Sequence, residues 1–199
     1  IWDFTTGQID PFIDISADGS KIAATAGTQF YLLNPVNGNI DFQFDLPDSL
    51  YASAVALSRD GSMAVVLAQA GGSSTTYRAY AFDISGSPTI EWTFDVQGSE
   101  ILNWAGVNFS ADGSNVAITG RNHLYIFNSS DGTLIWDHFV DNTESAPAIS
   151  GDGKVVVTAD NSGFVQTWHF DSLTNEYFKL WQYRIPVGAF TNWASSVGI

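Results

Sequence analysis

Three histidines and a set of aspartates are the residues of this chain whose chemistry could support catalysis or metal binding. A hydrolytic or metal site needs several such side chains to converge on one point. His123 lies in a predicted hairpin, whereas His138 and His169 lie on two separate predicted strands. Among the 199 residues there is no cysteine, which excludes a thiol nucleophile and a thiolate metal ligand. We therefore expect ordinary surface or interface histidines, and the sequence predicts no catalytic, cofactor-binding or metal-ligating residue.

Four aspartates recur in one short motif, Ser-x-Asp-Gly. A calcium loop of the EF-hand type would need several alternating acidic ligands before its glycine and a glutamate after it. The segment Gly-Asp-Gly-Lys at 151–154 likewise lacks the first glycine and the following helix of a phosphate-binding loop. An Asp-Gly pair between an apolar residue and a β-rich run instead predicts a hairpin turn. The four copies occupy residues 16–19, 58–61, 110–113 and 150–153.

Two further markers follow each hairpin. The first is an aromatic residue, a spacer, Leu or Phe, and then Asn or Asp, found at 31–34, 80–83, 125–128 and 168–171. The second is a strand with alternating aromatic residues at 42–44, 92–94 and 181–183, with a looser copy at 136–138. Each unit thus holds four short strands, and such units recurring every 40–50 residues are typical of β-propeller blades. We predict an all-β fold of four four-stranded antiparallel blades, at about 11–46, 51–96, 102–140 and 144–185.

The two ends of the sequence resemble parts of further blades. Trp2 and Phe4 match the outer aromatic strand, and Trp193 to Ile199 match an inner strand that stops before its Ser. We expect partial blade strands at 1–4 and 190–199, in a single propeller segment that belongs to a ring of seven or eight blades. Alternatively, a second copy or another protein fills the open edges by strand addition at Trp2, Phe4, Trp193 and Ile199.

The repeat resembles the quinoprotein-like (PQQ-type) propeller family, in which Asp or Asn, Gly and Trp follow at intervals of four. Asn128, Gly132 and Trp136 keep that spacing fully. The Ser-x-Asp-Gly hairpin resembles that of WD-repeat propellers. Membership of the quinoprotein enzymes would imply a quinone, a calcium ion and a catalytic Asp, often beside a vicinal disulfide. The chain has no cysteine, and its predicted inner strands offer no carboxylate cluster, so no cofactor is expected.

Composition restricts the class of partner. The formal net charge is −14 with only seven Lys and Arg, which argues against nucleic acid binding. No run of about 18 apolar residues predicts a membrane insertion. Few lysines with many Ser, Thr, Asn and Gly are typical of secreted β proteins, so we expect an extracellular or cell-surface location, with the cytoplasm as the alternative.

A few residues remain as candidate sites. Asn128 and Asn108 begin glycosylation sequons, and we favour Asn128 because it opens a turn, whereas Asn108 falls on an inner strand. Trp104 and Trp193 share an Asn-Trp-Ala context and are candidate rim aromatics that could stack on sugars or peptides.

Together these features predict a non-enzymatic structural, adhesive or protein-interaction module of a larger protein. Its partners would be proteins, further blades, glycans or copies of itself in a filament or surface assembly. Two alternatives remain: a quinoprotein-like or hydrolytic enzyme whose active site lies in other blades, and an intracellular scaffold.

Overall fold

The computed structural model describes residues 2–6, 11–70, 77–96, 106–120, 122–140, 146–160 and 162–186. The chain divides into two compact units, residues 1–97 and 98–199. In the described ranges each unit contains two antiparallel four-stranded sheets, and the strands of every sheet follow one another in chain order. The predicted all-β architecture of four four-stranded sheets is confirmed.

The first unit contains sheets 1 and 2, joined by a 3₁₀ turn at Pro47–Ser49. The strands of sheet 1 are β1 Phe12–Ile15, β2 Ile22–Ala26, β3 Gln29–Leu33 and β4 Ile40–Asp45. The strands of sheet 2 are β5 Tyr51–Leu57, β6 Met63–Gln69, β7 Tyr77–Asp83 and β8 Thr89–Asp95.

The second unit contains sheets 3 and 4. The strands of sheet 3 are β9 Gly106–Phe109, β10 Asn115–Gly120, β11 His123–Asn128 and β12 Leu134–Phe139. The strands of sheet 4 are β13 Ala148–Ile149, β14 Val155–Ala159, β15 Phe164–Asp171 and β16 Glu176–Arg184.

The Ser-x-Asp-Gly motifs form the turns between the first and second strands of all four sheets. In sheet 3 the Ser110 hydroxyl donates to Asp112 Oδ1 at 2.7 Å and accepts the Asn115 N–H at 2.9 Å. Gly113 has a φ of 74°, in the left-handed region that a residue without Cβ adopts at no steric cost. Hydrogen bonds from the Ser114 N–H and the Ser110 hydroxyl lower the pKa of Asp112. The aspartates are therefore turn caps, as predicted.

Consecutive turns within a unit are also hydrogen-bonded to each other. The Ala17 N–H donates to the Arg59 carbonyl at 3.0 Å, and the Asp112 N–H donates to the Gly151 carbonyl at 2.9 Å. In the first unit Asp14 of β1 adds a side-chain bond, because its Oδ2 accepts the Leu57 N–H at 2.7 Å. These bonds position the first strand of one sheet beside the first strand of the next.

Each unit has one core between its two sheets. In the first unit, Phe30, Leu32 and Val66 are buried, with Phe42 and Phe44 of the outer strand β4 packed against them. In the second, the buried cluster centres on Trp168, against which Trp136 of β12 packs. The aromatic residues of an outer strand thus pack on the third strand of the following sheet. Both cores consist of the aromatic and aliphatic positions that the repeat pattern marks.

Every outer strand has a bulge at the same place. One residue of the strand has no counterpart on the third strand, because the register shifts by one. The four bulge residues are Asp41, Glu91, Ile135 and Leu180. Two of them are acidic and two are apolar.

Candidate interaction surface

The three histidines take part in ring packing in different places. His123 stacks on Tyr125 of its own strand at a ring distance of 5.4 Å, and His169 lies 5.7 Å from Phe178. His138 of β12 lies between Trp136 and Trp168, at ring distances of 5.3 and 4.8 Å. Within the described ranges, no group of three His, Cys, Asp or Glu side chains is placed to hold a metal ion.

His138 occupies the position that Phe44 holds in sheet 1, facing the next sheet. Its environment disfavours protonation: burial lowers its pKa, and the ammonium of Lys179, which lies 5.3 Å from the centre of the Trp168 ring, adds to this. Asp137 raises the pKa, and His123 lowers it slightly. The net shift of the His138 pKa is downward, so the folded protein favours the neutral imidazole.

We expect stability to fall on acidification because of His138. Its lowered folded-state pKa stabilises the fold above the ordinary value of 6.5. That contribution disappears as the pH falls through the lowered value, and it amounts to less than about 1 kcal/mol because the side chain of His138 is only partly shielded from solvent. Urea denaturation between pH 7.5 and pH 5 measures it. His138→Phe, which copies Phe44, should flatten this part of the pH dependence. A slope equal to that of the natural chain would contradict the assignment.

The first described residues, 2–6, pack on β3 of sheet 1 and on the turn that follows it. Phe4 makes an edge-to-face contact with Tyr31 at 5.3 Å, comparable to the contact of Phe44 with Tyr80 at 6.1 Å. The Trp2 Nε1–H donates to the Pro35 carbonyl at 3.0 Å. Residues 2–6 do not form a β-strand. The aromatic positions of the predicted outer strand are thus occupied without strand pairing, and strand addition at Trp2 and Phe4 stays a prediction.

The two sequon asparagines lie in different surroundings. Asn128 ends β11 and is partly buried, and its Oδ1 accepts the Ser130 N–H at 2.9 Å and the Ser130 hydroxyl at 2.8 Å. Asn108 of β9 is exposed, and its Oδ1 accepts the Phe109 N–H at 3.0 Å. The side chain of Asn128 therefore caps its turn, and exposure does not favour it over Asn108. Glycosylation of either residue stays a prediction.

Other sequence-predicted sites lie outside the described residues. These are the rim aromatics Trp104 and Trp193, and the edge residue Ile199. The long hairpin predicted around 71–76 is outside them as well.

A surface that the sequence did not single out lies on the outer strand of sheet 4. Four large apolar side chains of β16 are about half exposed: Phe178 at 46%, Leu180 at 53%, Trp181 at 48% and Tyr183 at 58%. We call these four residues the β16 surface. Trp181 and Tyr183 carry the same alternating aromatic motif as Phe42 and Phe44, which are partly buried against sheet 2. The motif was visible in the sequence, but its exposure depends on what packs against it.

The remainder of β16 is anchored firmly to the sheet. Tyr177 is buried, and its hydroxyl donates to the Gly153 carbonyl in the Ser-x-Asp-Gly turn. Burial, together with the nearby Asp152 carboxylate, raises the pKa of Tyr177 to about 12. Arg184 lies over the Phe164 ring at 5.4 Å from its centre. The exposed side chains therefore project from a strand with a fixed backbone, which suits them to form a binding surface.

Comparison with solved structures identifies the architecture. The chain superposes on BamB from Moraxella catarrhalis with a TM-score of 0.66 at 14% sequence identity, covering 93% of this chain and 54% of that one. It superposes on the β-propeller domain of Cps50 (Swd1) from Myceliophteria thermophila with a TM-score of 0.63 at 8% identity, covering 87% and 57%. The fold is of the β-propeller type. This chain spans little more than half the length of either protein, and identities this low establish the fold alone.

No protein-family model matches the chain, and no curated protein matches its sequence. The resemblance to the quinoprotein-like family therefore stays a prediction, whereas the propeller blades themselves are confirmed. Among the described residues there is no helix of the length and apolarity that a bilayer crossing requires.

Proposed function

We propose that this chain is a non-enzymatic protein-interaction module with a structural or adhesive role in a larger extracellular or cell-surface protein. The observation that carries the proposal is the β16 surface, where Phe178, Leu180, Trp181 and Tyr183 are about half exposed on one strand. Contiguous exposed apolar patches on otherwise polar proteins mark interaction sites. The propeller fold is compatible with this role but does not by itself determine it, because one fold hosts many functions.

The composition of the β16 surface favours a protein partner. Trp and Tyr are the residues most enriched among those that dominate binding energies at protein interfaces. The net charge of −14 would repel the phosphate backbone of a nucleic acid. An apolar or mixed protein surface could bury these rings at low desolvation cost.

The proposal that the module is not an enzyme is supported by the roles that its reactive side chains already have. The three histidines lie on three separate strands, and each packs against an aromatic ring. The aspartates of the four hairpins accept hydrogen bonds from their own turns. The low lysine content supports the extracellular assignment, which biotinylation of intact cells of the source organism with a membrane-impermeant reagent would test.

A photo-crosslinking amino acid at position 181 tests the interaction. We expect the full chain carrying it to give discrete protein adducts when irradiated in extracts of its source. The control carries the same residue at Leu173, which is 93% exposed but lies in the turn before β16. The proposal fails if position 181 gives no adduct, or the same adducts as position 173.

A further inference from the structure

Sheet 4 has one face packed against sheet 3 and another face turned away from it. Trp168 of β15 belongs to the packed face, because its ring centre lies 5.5 Å from that of Trp136 in sheet 3. Side chains alternate between the two faces along a strand, and directly paired residues share a face. The alternate residues of β15 and their partners on β16 therefore form the other face, which we call the far face of sheet 4. Its four pairs are Asp171 with Glu176, His169 with Phe178, Thr167 with Trp181, and Val165 with Tyr183.

The far face is polar at positions where sheets 1 and 3 are apolar. The motif that ends in Asn or Asp aligns β15 with β3 and β11, so that Thr167 and His169 have counterparts in both sheets. The counterparts are Phe30 and Leu32 in sheet 1, and Leu124 and Ile126 in sheet 3. All four are buried in the cores of their units. Covering a hydroxyl and an imidazole with another apolar sheet costs free energy because neither group gains a hydrogen-bond partner. The far face is thus suited to a partner with polar or charged groups.

The cations of β16 lie on the packed side of sheet 4, not on its far face. The Lys179 ammonium is 5.3 Å from the centre of the Trp168 ring, and the Arg184 guanidinium is 5.4 Å from that of Phe164. None of the residues in the four pairs of the far face is Lys or Arg, whereas two of them are carboxylates. Rings and carboxylates together, without a cation of their own, form a surface that is complementary to a cationic partner.

The groups of the far face on β16 are accessible and evenly spaced. Phe178, Trp181 and Tyr183 are 46%, 48% and 58% exposed, and Glu176 is exposed as well. Their partners on β15 follow one another at every second residue, a separation of about 7 Å. An extended segment that runs over these side chains, with a cation at every second residue, therefore brings one cation to each of the four groups.

We propose that the far face of sheet 4 binds an extended protein segment with Lys or Arg at alternate residues. The cations lie over the rings of Phe178, Trp181 and Tyr183 and beside the carboxylate of Glu176. This inference rests on the proposed interaction role of the β16 surface and specifies the chemistry of its partner. The net charge of −14 attracts such a segment to the chain, and the rings and the carboxylate determine where it binds.

The first test compares a charged and a neutral version of one peptide. A labelled peptide in which Arg and Ser alternate is titrated with the full chain at about 0.15 M salt, and fluorescence anisotropy gives the dissociation constant. The control peptide has citrulline in place of Arg, which keeps the shape of the side chain and removes its charge. We expect the control to bind at least about tenfold more weakly, because several cation–π contacts are lost together. Equal affinities, or no binding of the Arg peptide, would overturn the proposal.

The second test locates the bound peptide. Trp181→Leu keeps an apolar side chain but removes the aromatic face, so the Arg peptide should bind about threefold to fivefold more weakly, whereas Trp181→Phe should retain most of the affinity. Glu176→Gln should weaken binding about twofold to threefold. Glu91→Gln is its matched control, since it removes the same charge from an exposed position of β8. Circular dichroism spectra like that of the natural chain would show that the variants are folded. Equal effects of the two glutamate variants, or of the two tryptophan variants, would reject this site.

Crosslinking from position 181 separates this inference from the proposed function. Adducts that an excess of the Arg peptide suppresses, and the citrulline peptide does not, support both. If position 181 captures a partner protein and neither peptide suppresses the adduct, the interaction role stands and recognition of a cationic segment is wrong. If position 181 captures nothing, the interaction role fails, and this inference fails with it.

Discussion

Replacing Phe82 by alanine will destabilise the first unit by about 3–5 kcal/mol, the usual cost of removing a fully buried phenylalanine. Phe82 of β7 is 1% exposed and is surrounded by rings from sheet 1. Its ring centre lies 5.0 Å from Phe30, 6.4 Å from Phe42 and 5.2 Å from Phe44. The substitution removes these aromatic contacts together and leaves a cavity between the two sheets.

Hydrogen exchange of the full chain, read by mass spectrometry, locates the effect. Amides of sheets 1 and 2 should exchange faster in Phe82→Ala, because opening of this unit becomes less costly. Phe82→Leu should lose clearly less, since most of the volume is kept. Val36→Ala, at a side chain that is 84% exposed, is the control and should change stability by less than about 0.5 kcal/mol. If Phe82→Ala leaves the hydrogen-exchange protection of sheets 1 and 2 unchanged, the ring cluster does not hold these sheets together.

Much of this fold could be predicted from local pattern. Asp-Gly between apolar runs specifies a hairpin whatever surrounds it, because the Asp caps the turn and the Gly takes the positive φ. Residues 58–61 illustrate this: Ser58 donates to Asp60 at 2.7 Å, and Gly61 has a φ of 67°. Alternation along the strands likewise indicates which side chains face a core.

The interaction surface could not be predicted in the same way. Trp136 and Trp181 occupy equivalent positions in the same motif, so periodicity gives both the same environment. They differ only in what packs on them, since Trp136 meets Trp168 and Tyr177 of the following sheet whereas Trp181 is 48% exposed. Whether the aromatic residue at this position is buried therefore depends on tertiary packing and not on the local sequence.

A second feature without a periodic signal is the close approach between sheets 3 and 4 at Gly106. This buried glycine begins β9, and a Cβ placed on it would lie 2.1 Å from the Ala146 Cα and 2.6 Å from the Ala146 N. Glycine in a strand often marks such contact with another backbone. The missing side chain therefore lets the chain before β13 lie directly against β9.

Gly106→Ala should therefore cost about 3 kcal/mol, at the upper end of the range for overpacked sites, because the obstacle is main chain and cannot rotate away. Urea denaturation monitored by tryptophan fluorescence would measure the loss. Gly86→Ala is the matched control: a Cβ there meets no heavy atom within 4 Å, and its free energy of unfolding should change by less than about 0.5 kcal/mol.

The double variant Gly106→Ala with Ala146→Gly separates two causes of that cost. The Ala146 Cβ also lies close, at 2.6 Å from the added Cβ, and the second substitution removes it. Because the Cα and N of residue 146 remain, we expect the double variant to recover little stability. Full recovery would show that two methyl groups collide and that the backbones can separate, in which case Gly106 would not fix the distance between β9 and the chain leading into β13.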